Sequence, residues 1–299
     1  MLRRRARRGE LPKRTGPRVK SFSIDCELEY DVLQQTLFLF NIAVPSLPEQ
    51  RVRCETITLQ PAEQFDEFCD ATGVNRFLRV NVAPGSFGIR YLAAVDLDAP
   101  SIDPSADRTP LATLPPDVIP YVLASRYCEA EALFALACDE FGDIAPGYAQ
   151  VEAVCRWIRG NIAYRVGTSS PVTTARDVLA NRAGICRDFA HLAIALCRAL
   201  NIPARFVTGY TRYEEPPQDF HAIFEAYLGG RWQLFDPTEL APIDSIVRIG
   251  IGRDAADVAF ATLFGTARLR RLSPLVEPSD NAAQLVRLQT PTSGVLLAA

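Results

Sequence analysis

The spacing of apolar residues changes once along this chain, near residue 120, and that change limits the fold more than any single motif. From Ser21 to about Leu114 the apolar residues alternate, in runs such as "SIDCELEY", "QTLFLFNIAV", "RVRCETITLQ", "NRFLRVNVAPG" and "GIRYLAAVDLD". Period-two alternation broken by Pro and Gly predicts antiparallel strands with one buried face, here a β-sandwich over residues 21–115. The stretch "DAPSIDPSADRTPLATLPPDVIP" is rich in Pro and Asp and reads as a linker. Beyond it the spacing becomes helical. "PYVLASRYCEAEALFALACDEF", "GYAQVEAVCRWIRGNIAY", "TTARDVLANRAG" and "ICRDFAHLAIALCRALN" each predict a helix. Three strands, "ARFVTGY", "HAIFEAYL" and "RWQLFDPT", come after them. Helices first and an antiparallel sheet afterwards make residues 116–299 an α+β domain.

Charge and cysteine usage narrow the function classes. Residues 1–20 carry nine Lys or Arg against Glu10, a net +8 in a chain whose total is -3. With no aromatic or apolar periodicity, this segment reads as a disordered basic tail. The acidic remainder gives no case for a nucleic-acid partner. No apolar run approaches the ~18 residues of a membrane span, and no apolar segment after the basic start marks a secretory signal. A cytoplasmic protein with reduced thiols and no membrane partner is therefore expected. The eight cysteines form no CxxC pair and there are only two histidines, so neither a metal nor a cofactor is expected. Oligomeric state is not legible.

The segment "AGICRDFAHL", residues 183–192, places Cys186 between a glycine and the first turn of an apolar helix. Core filling, metal ligation and nucleophilic catalysis are all open to such a residue. Free N–H groups at a helix start stabilise a thiolate and, later, an oxyanion. Gly184 permits a sharp turn and leaves room for a substrate. A nucleophilic thiol needs a base and a group to orient it. His191 lies five residues on, rotated by ~140° around the same helix, which suits packing better. His221 opens a hairpin turning at Gly229-Gly230. With those glycines as the turn, Leu228 faces Arg231 and Ile223 faces Asp236. His221 and Asp236 are then diagonal neighbours, ~7–8 Å apart along the backbone and within side-chain reach. Asp188 reads as a first-turn charge, Trp157 and Trp232 as core, and Tyr164 or Asn161 as an oxyanion donor beside the Cys186 N–H.

At these motifs the chain resembles the bacterial transglutaminase-like superfamily, over roughly residues 150–275. The resemblance rests on "RAGICRDFAHLAIALCRALNIPARFVTGY" and "FHAIFEAYLGGRWQLFDPT", with "IGIGRDAADVAF" downstream. It implies a papain-like core of helices on an antiparallel sheet, preceded by the β-rich domain often joined to it. It also implies the catalytic residues Cys186, His221 and Asp236. The implied activity is acyl transfer from a peptide or protein substrate through a thioester. Hydrolysis, as in a protease or amidase, is expected ahead of protein-glutamine transglutaminase activity, since water is always present. A non-catalytic binding module and a metal protein are the other classes considered. The resemblance departs at Ile223, where the family often carries Trp. Any aromatic wall over the site then falls to Trp232 or Trp157.

Overall fold

The computed structural model describes residues 19–98, 100, 102–280 and 295–297. The basic tail expected over residues 1–20 lies almost wholly outside them. The front half is a sandwich of two antiparallel sheets. One holds β1 (Lys20–Val32), β3 (Gln50–Gln60) and β6 (Gly85–Leu97), and the other β2 (Thr36–Phe40), β4 (Phe65–Cys69) and β5 (Arg76–Val82). Strand β1 alternates faithfully: Phe22, Ile24, Cys26, Leu28, Tyr30 and Val32 all point inward and are buried. Between the sheets Tyr30, Phe38, Phe40 and Phe87 pack ring on ring.

The back half centres on one helix. Helices α1 (Phe134–Phe141), α2 (Tyr148–Asn161) and α3 (Ala175–Asn181) surround α4 (Cys186–Ala199). Every residue of α4 except Arg187 is buried, the polar Asp188, His191 and Arg198 among them. The helix stops where Asn201 adopts a left-handed φ of 58°, just ahead of Pro203. It lies on an antiparallel sheet formed by β9 (Ala204–Tyr210), β10 (His221–Leu228), β11 (Arg231–Phe235) and β12 (Val247–Gly252), in the order β11-β10-β9-β12. Between α2 and α3 runs β7 (Ala163–Tyr164), paired in parallel with β8 (Ala183–Gly184).

Two expectations need correction. The long helix over residues 120–141 is confined to α1 and a preceding 3-10 turn. Upstream of it the backbone spends its polar groups on distant segments: Tyr127 N–H donates to Asp254, and Tyr127 C=O accepts from Ala175. The chain also returns to the front half. Strand β13 (Ala261–Phe264) pairs with β2, and β14 (Ala267–Pro278) runs the length of β1. Residues 261–278, grouped with the second domain on sequence pattern, thus complete the sandwich. Their alternation is faint because β14 is an edge strand, with few buried residues and with prolines that only an edge tolerates. A last strand, β15 (Val295–Leu297), pairs with β3.

The two halves are joined by side-chain amides acting as peptide groups. Gln50 exchanges two hydrogen bonds of 2.9 Å with the backbone of Arg248. Asn75 does the same with Ile251, at 2.7 and 2.8 Å. Both satisfy the outer edge of β12. The linker lies against the β10–β11 hairpin, where Gly229 N–H donates to Asp107 and Arg108 bridges to Leu228.

Candidate active site

Cys186 is the first residue of α4, held by the turn that precedes it. Asp188 is fully buried and accepts the Ile185 N–H at 3.0 Å and the Ser169 hydroxyl at 2.9 Å. Arg187 braces the same corner through Ser169 and Ser170. Gly184 is required here for packing. A Cβ on it would stand 2.7 Å from that of Asp188, so the space expected for a substrate is filled by the Asp188 side chain. The β7–β8 ribbon sets Tyr164 opposite Gly184. It lies beside Cys186, and burial together with that thiol raises its pKa. Asn161, the other residue considered there, instead caps Trp157 C=O from an exposed position.

His221 and Asp236 are brought together. Imidazole Nε2 lies 2.8 Å from Asp236 Oδ2, and both side chains are almost wholly buried. Asp236 Oδ1 accepts the Thr238 N–H and hydroxyl at 2.8 and 2.7 Å, so both carboxylate oxygens are engaged. The hairpin has the expected register, Leu228 opposite Arg231 and Phe224 opposite Phe235. Its turn is fixed by positive φ at both Gly229 and Gly230, as a two-residue hairpin loop of this hand demands. Imidazole Nδ1 has no hydrogen-bond partner in the resting protein. The neighbouring Cys186 thiol points at Phe220 C=O instead, at 3.8 Å.

Electrostatics within the cluster follow from its burial. Burial alone would strip the proton from His221. The Asp236 hydrogen bond and the adjoining Cys186 outweigh that and push its pKa up to about 10. Burial raises the Asp236 carboxyl as well, but His221 and Thr238 hold it below its ordinary value. A carboxylate and an imidazolium therefore stand together beside the thiol. By contrast, burial pushes the Cys128 and Cys197 thiols up to about 12.

His191 sits apart from the cluster. It stacks on Tyr127 at 5.0 Å, its Nε2 accepts the Ala255 N–H at 3.1 Å, and burial depresses its pKa strongly. Neither tryptophan walls the site. Trp157 packs on Phe141, and Trp232 lies among Tyr121 and Tyr227. The aromatic neighbours are tyrosines, Tyr164 beside Cys186 and Tyr213 edge-on to His221 at 5.7 Å. Sequence pattern does not single out Tyr213. Its place depends on the 211–220 loop, where its hydroxyl bonds both backbone groups of Asp219. Ile223 packs with Val207, Leu234 and Ile246, apart from the core that contains α4.

Comparison with known proteins identifies the family. The profile of the transglutaminase-like superfamily matches residues 137–237, and that of the bacterial transglutaminase N-terminal domain matches 20–117. A crystal structure from Cytophaga hutchinsonii, of a candidate cysteine protease, shares 39% identity at a TM-score of 0.84. The match covers 88% of this chain and 92% of that one. The chain belongs to the transglutaminase-like superfamily. All three residues named above, Cys186, His221 and Asp236, lie inside the matched transglutaminase-like core. Two mycobacterial relatives, both uncharacterised proteins, match over shorter stretches. That of Mycobacterium leprae is 36% identical over 120 residues and that of Mycobacterium tuberculosis H37Rv 34% over 112. These matches span 42% and 36% of the relatives' own lengths, which is less than half of either. Among the described residues of this transglutaminase-like chain, no helix is long and apolar enough to cross a membrane.

Proposed function

We propose that this protein is a cysteine-dependent acyl-transfer enzyme that hydrolyses peptide or amide bonds through a thioester on Cys186. The observation that carries this reading is the buried 2.8 Å pair of His221 and Asp236 beside a thiol at a helix start. In the proposed reaction Cys186 leaves Phe220 C=O and loses its proton to solvent, giving a thiolate paired with the His221 imidazolium, whose ring Asp236 holds through Nε2. The sulfur adds to the substrate carbonyl, forming a C–S bond, and the Cys186 N–H stabilises the oxyanion. The C–N bond then breaks, and the imidazolium gives its proton to the departing amine. Water, deprotonated by His221, attacks the thioester, the C–S bond breaks, and the acid leaves with the thiolate–imidazolium pair restored. Hydrolysis is favoured because water needs no dedicated site, whereas an amine acceptor does. We place the enzyme in the cytoplasm, where its eight free cysteines would remain reduced.

Limiting iodoacetamide at mildly acidic pH, followed by peptide mapping, tests the nucleophile. Cys186 should alkylate ahead of Cys128, Cys155 and Cys197. A screen of peptide amides with and without a primary amine then separates hydrolysis from transamidation. Labelling at Cys186 no faster than at those buried thiols, or turnover that survives Cys186→Ser, would reject the reading.

A further inference from the structure

Phe220 stands between the catalytic cluster and the front half. Its C=O accepts the Cys186 thiol at 3.8 Å, and the next residue in the chain is His221. The two side chains then part. His221 turns to Asp236, whereas Phe220 is 9% exposed and belongs, with Tyr210, Val247 and Ile249, to the buried cluster that fills the sandwich. A single planar peptide group thus joins a ring in the sandwich core to the imidazole.

The Phe220 ring is seated by two aromatic neighbours. It stacks on Phe260 with centroids 5.1 Å apart and leans on Tyr210 at 5.4 Å. Each neighbour is tied to the backbone that follows β2. The Tyr210 hydroxyl donates to Ile42 C=O at 2.8 Å, and Phe260 C=O accepts the Asn41 N–H at 3.0 Å. Tyr210 also stacks on Tyr91 of β6 at 6.4 Å, whose hydroxyl donates to Glu55 and accepts the Val44 N–H. Directional bonds and close packing leave Phe220 one seat. Two ion pairs cross from the front half to the loops around the site, Arg212 with Glu277 at 3.3 Å and Lys20 with Asp244 at 2.6 Å. All four side chains are a third exposed or more, so these pairs fix little. The buried rings carry the alignment. A shift of Phe220 moves the C=O that holds the thiol and the backbone of His221 together, and a misplacement of about 1 Å can cost roughly 10²-fold in rate.

We propose that Phe220 is a positioning residue, through which the front sandwich sets the reach of His221 toward Cys186. The sandwich is then part of the catalytic apparatus and not an appended module. The inference rests on the acyl-transfer reading for its chemistry, but the placement of His221 can be tested without a substrate.

Phe220→Leu keeps an apolar side chain and removes the ring stack. It is compared with the parent protein well below the melting temperature. The readouts are kcat and KM on a peptide amide that the parent turns over, and the rate of Cys186 alkylation by iodoacetamide at mildly acidic pH. Turnover should fall about ten- to hundredfold, with KM within about twofold. Alkylation should slow severalfold, because a displaced imidazole no longer holds the thiolate. Loosening alone would expose the thiol and speed alkylation, so the direction separates the two. Phe38→Leu is the control, in the same core but packed on Tyr30, Phe40 and Phe87. It should melt lower and keep the parent kcat and alkylation rate. If Phe220→Leu does not fold, Phe260→Leu, one ring further from the site, should show the same changes at smaller amplitude. Parent values in whichever of the two folds, or faster alkylation, overturn the proposal, and so does an equal loss in Phe38→Leu. Turnover that survives Cys186→Ser overturns the acyl-transfer reading instead, and the alkylation comparison then decides the placement of His221 alone.

Discussion

Burial takes the proton from one histidine of this protein and not from the other. His191 has only apolar and aromatic surroundings and two arginines, Arg187 and Arg198, to repel its charge. His221 has Asp236, and its pKa rises to about 10. The sign of the linkage is definite. A raised His221 contributes stability that is complete below its unfolded value near 6.5 and is lost as pH rises through about 10. A lowered Asp236 contributes stability present above the ordinary carboxylate range and lost as pH falls through its folded value. The pair is intact between those limits. Asp236→Asn removes the charge that raises His221, so the alkaline limb of a pH–rate profile should move to lower pH. Turnover should fall on the order of 10²–10⁴-fold, with a smaller change in KM. An alkaline limb that stays in place would sink the pairing. At this scale the sequence is informative where chemistry dictates residue type. Spacing points to a thiol, an imidazole and a carboxylate, and the hairpin glycines set the register that brings the last two together. Tyr213 is hidden because a loop of no regular period positions it, and the tryptophans mislead because rarity is not proximity.

The smallest sheet in the molecule has the largest local influence. Two residues of β7 and two of β8 pair in parallel, tying the end of α2 to the approach of α4. Through Arg165 N–H and Gly184 C=O, at 2.9 Å, this ribbon fixes the height at which Tyr164 meets Cys186. Gly184→Ala tests how tightly it is built. The new Cβ meets Asp188 Cβ at 2.7 Å, and Asp188 also holds the Ile185 N–H. Relief of that overlap must tilt the first turn of α4. A cost of about 1–3 kcal/mol is expected, together with lost reactivity at Cys186. Chemical denaturation and alkylation rate measure the two, and unchanged values for both would refute the packing account. Four residues of ribbon carry no periodicity, so pattern reading passes over them. The opposite error arises at residues 120–133. Helical spacing is present there, yet partners at Ala175 and Asp254 draw the backbone elsewhere.

Across the whole molecule, the alternating front and helical back are legible as separate patterns, while the means of joining them is not. Amphipathic period reports which face of an element is buried, and says nothing about a lone Gln50 or Asn75 that stands in for a strand. These two amides satisfy two N–H and two C=O groups on the edge of β12. Gln50→Ala with Asn75→Ala would leave those groups unpaired at a mostly buried edge, at a cost on the order of 2–4 kcal/mol. Scanning calorimetry is expected to resolve two transitions, front and back, for the double variant and one for the parent protein. The bared edge should also favour concentration-dependent self-association. A single transition at the parent temperature would show the joint to be held by other contacts.

Under tension, the returning strand turns the protein into a zipper. Phe22 lies opposite Pro278, so the near ends of β1 and β14 share one end of a ladder that runs on to Val32 and Ala267. A pull applied at residues 20 and 278 loads that ladder from its shared end, and its hydrogen bonds break in succession instead of resisting together. Strand β14 peels from β1 at low force, and Cys186, His221 and Asp236 bear no load until that ladder has opened.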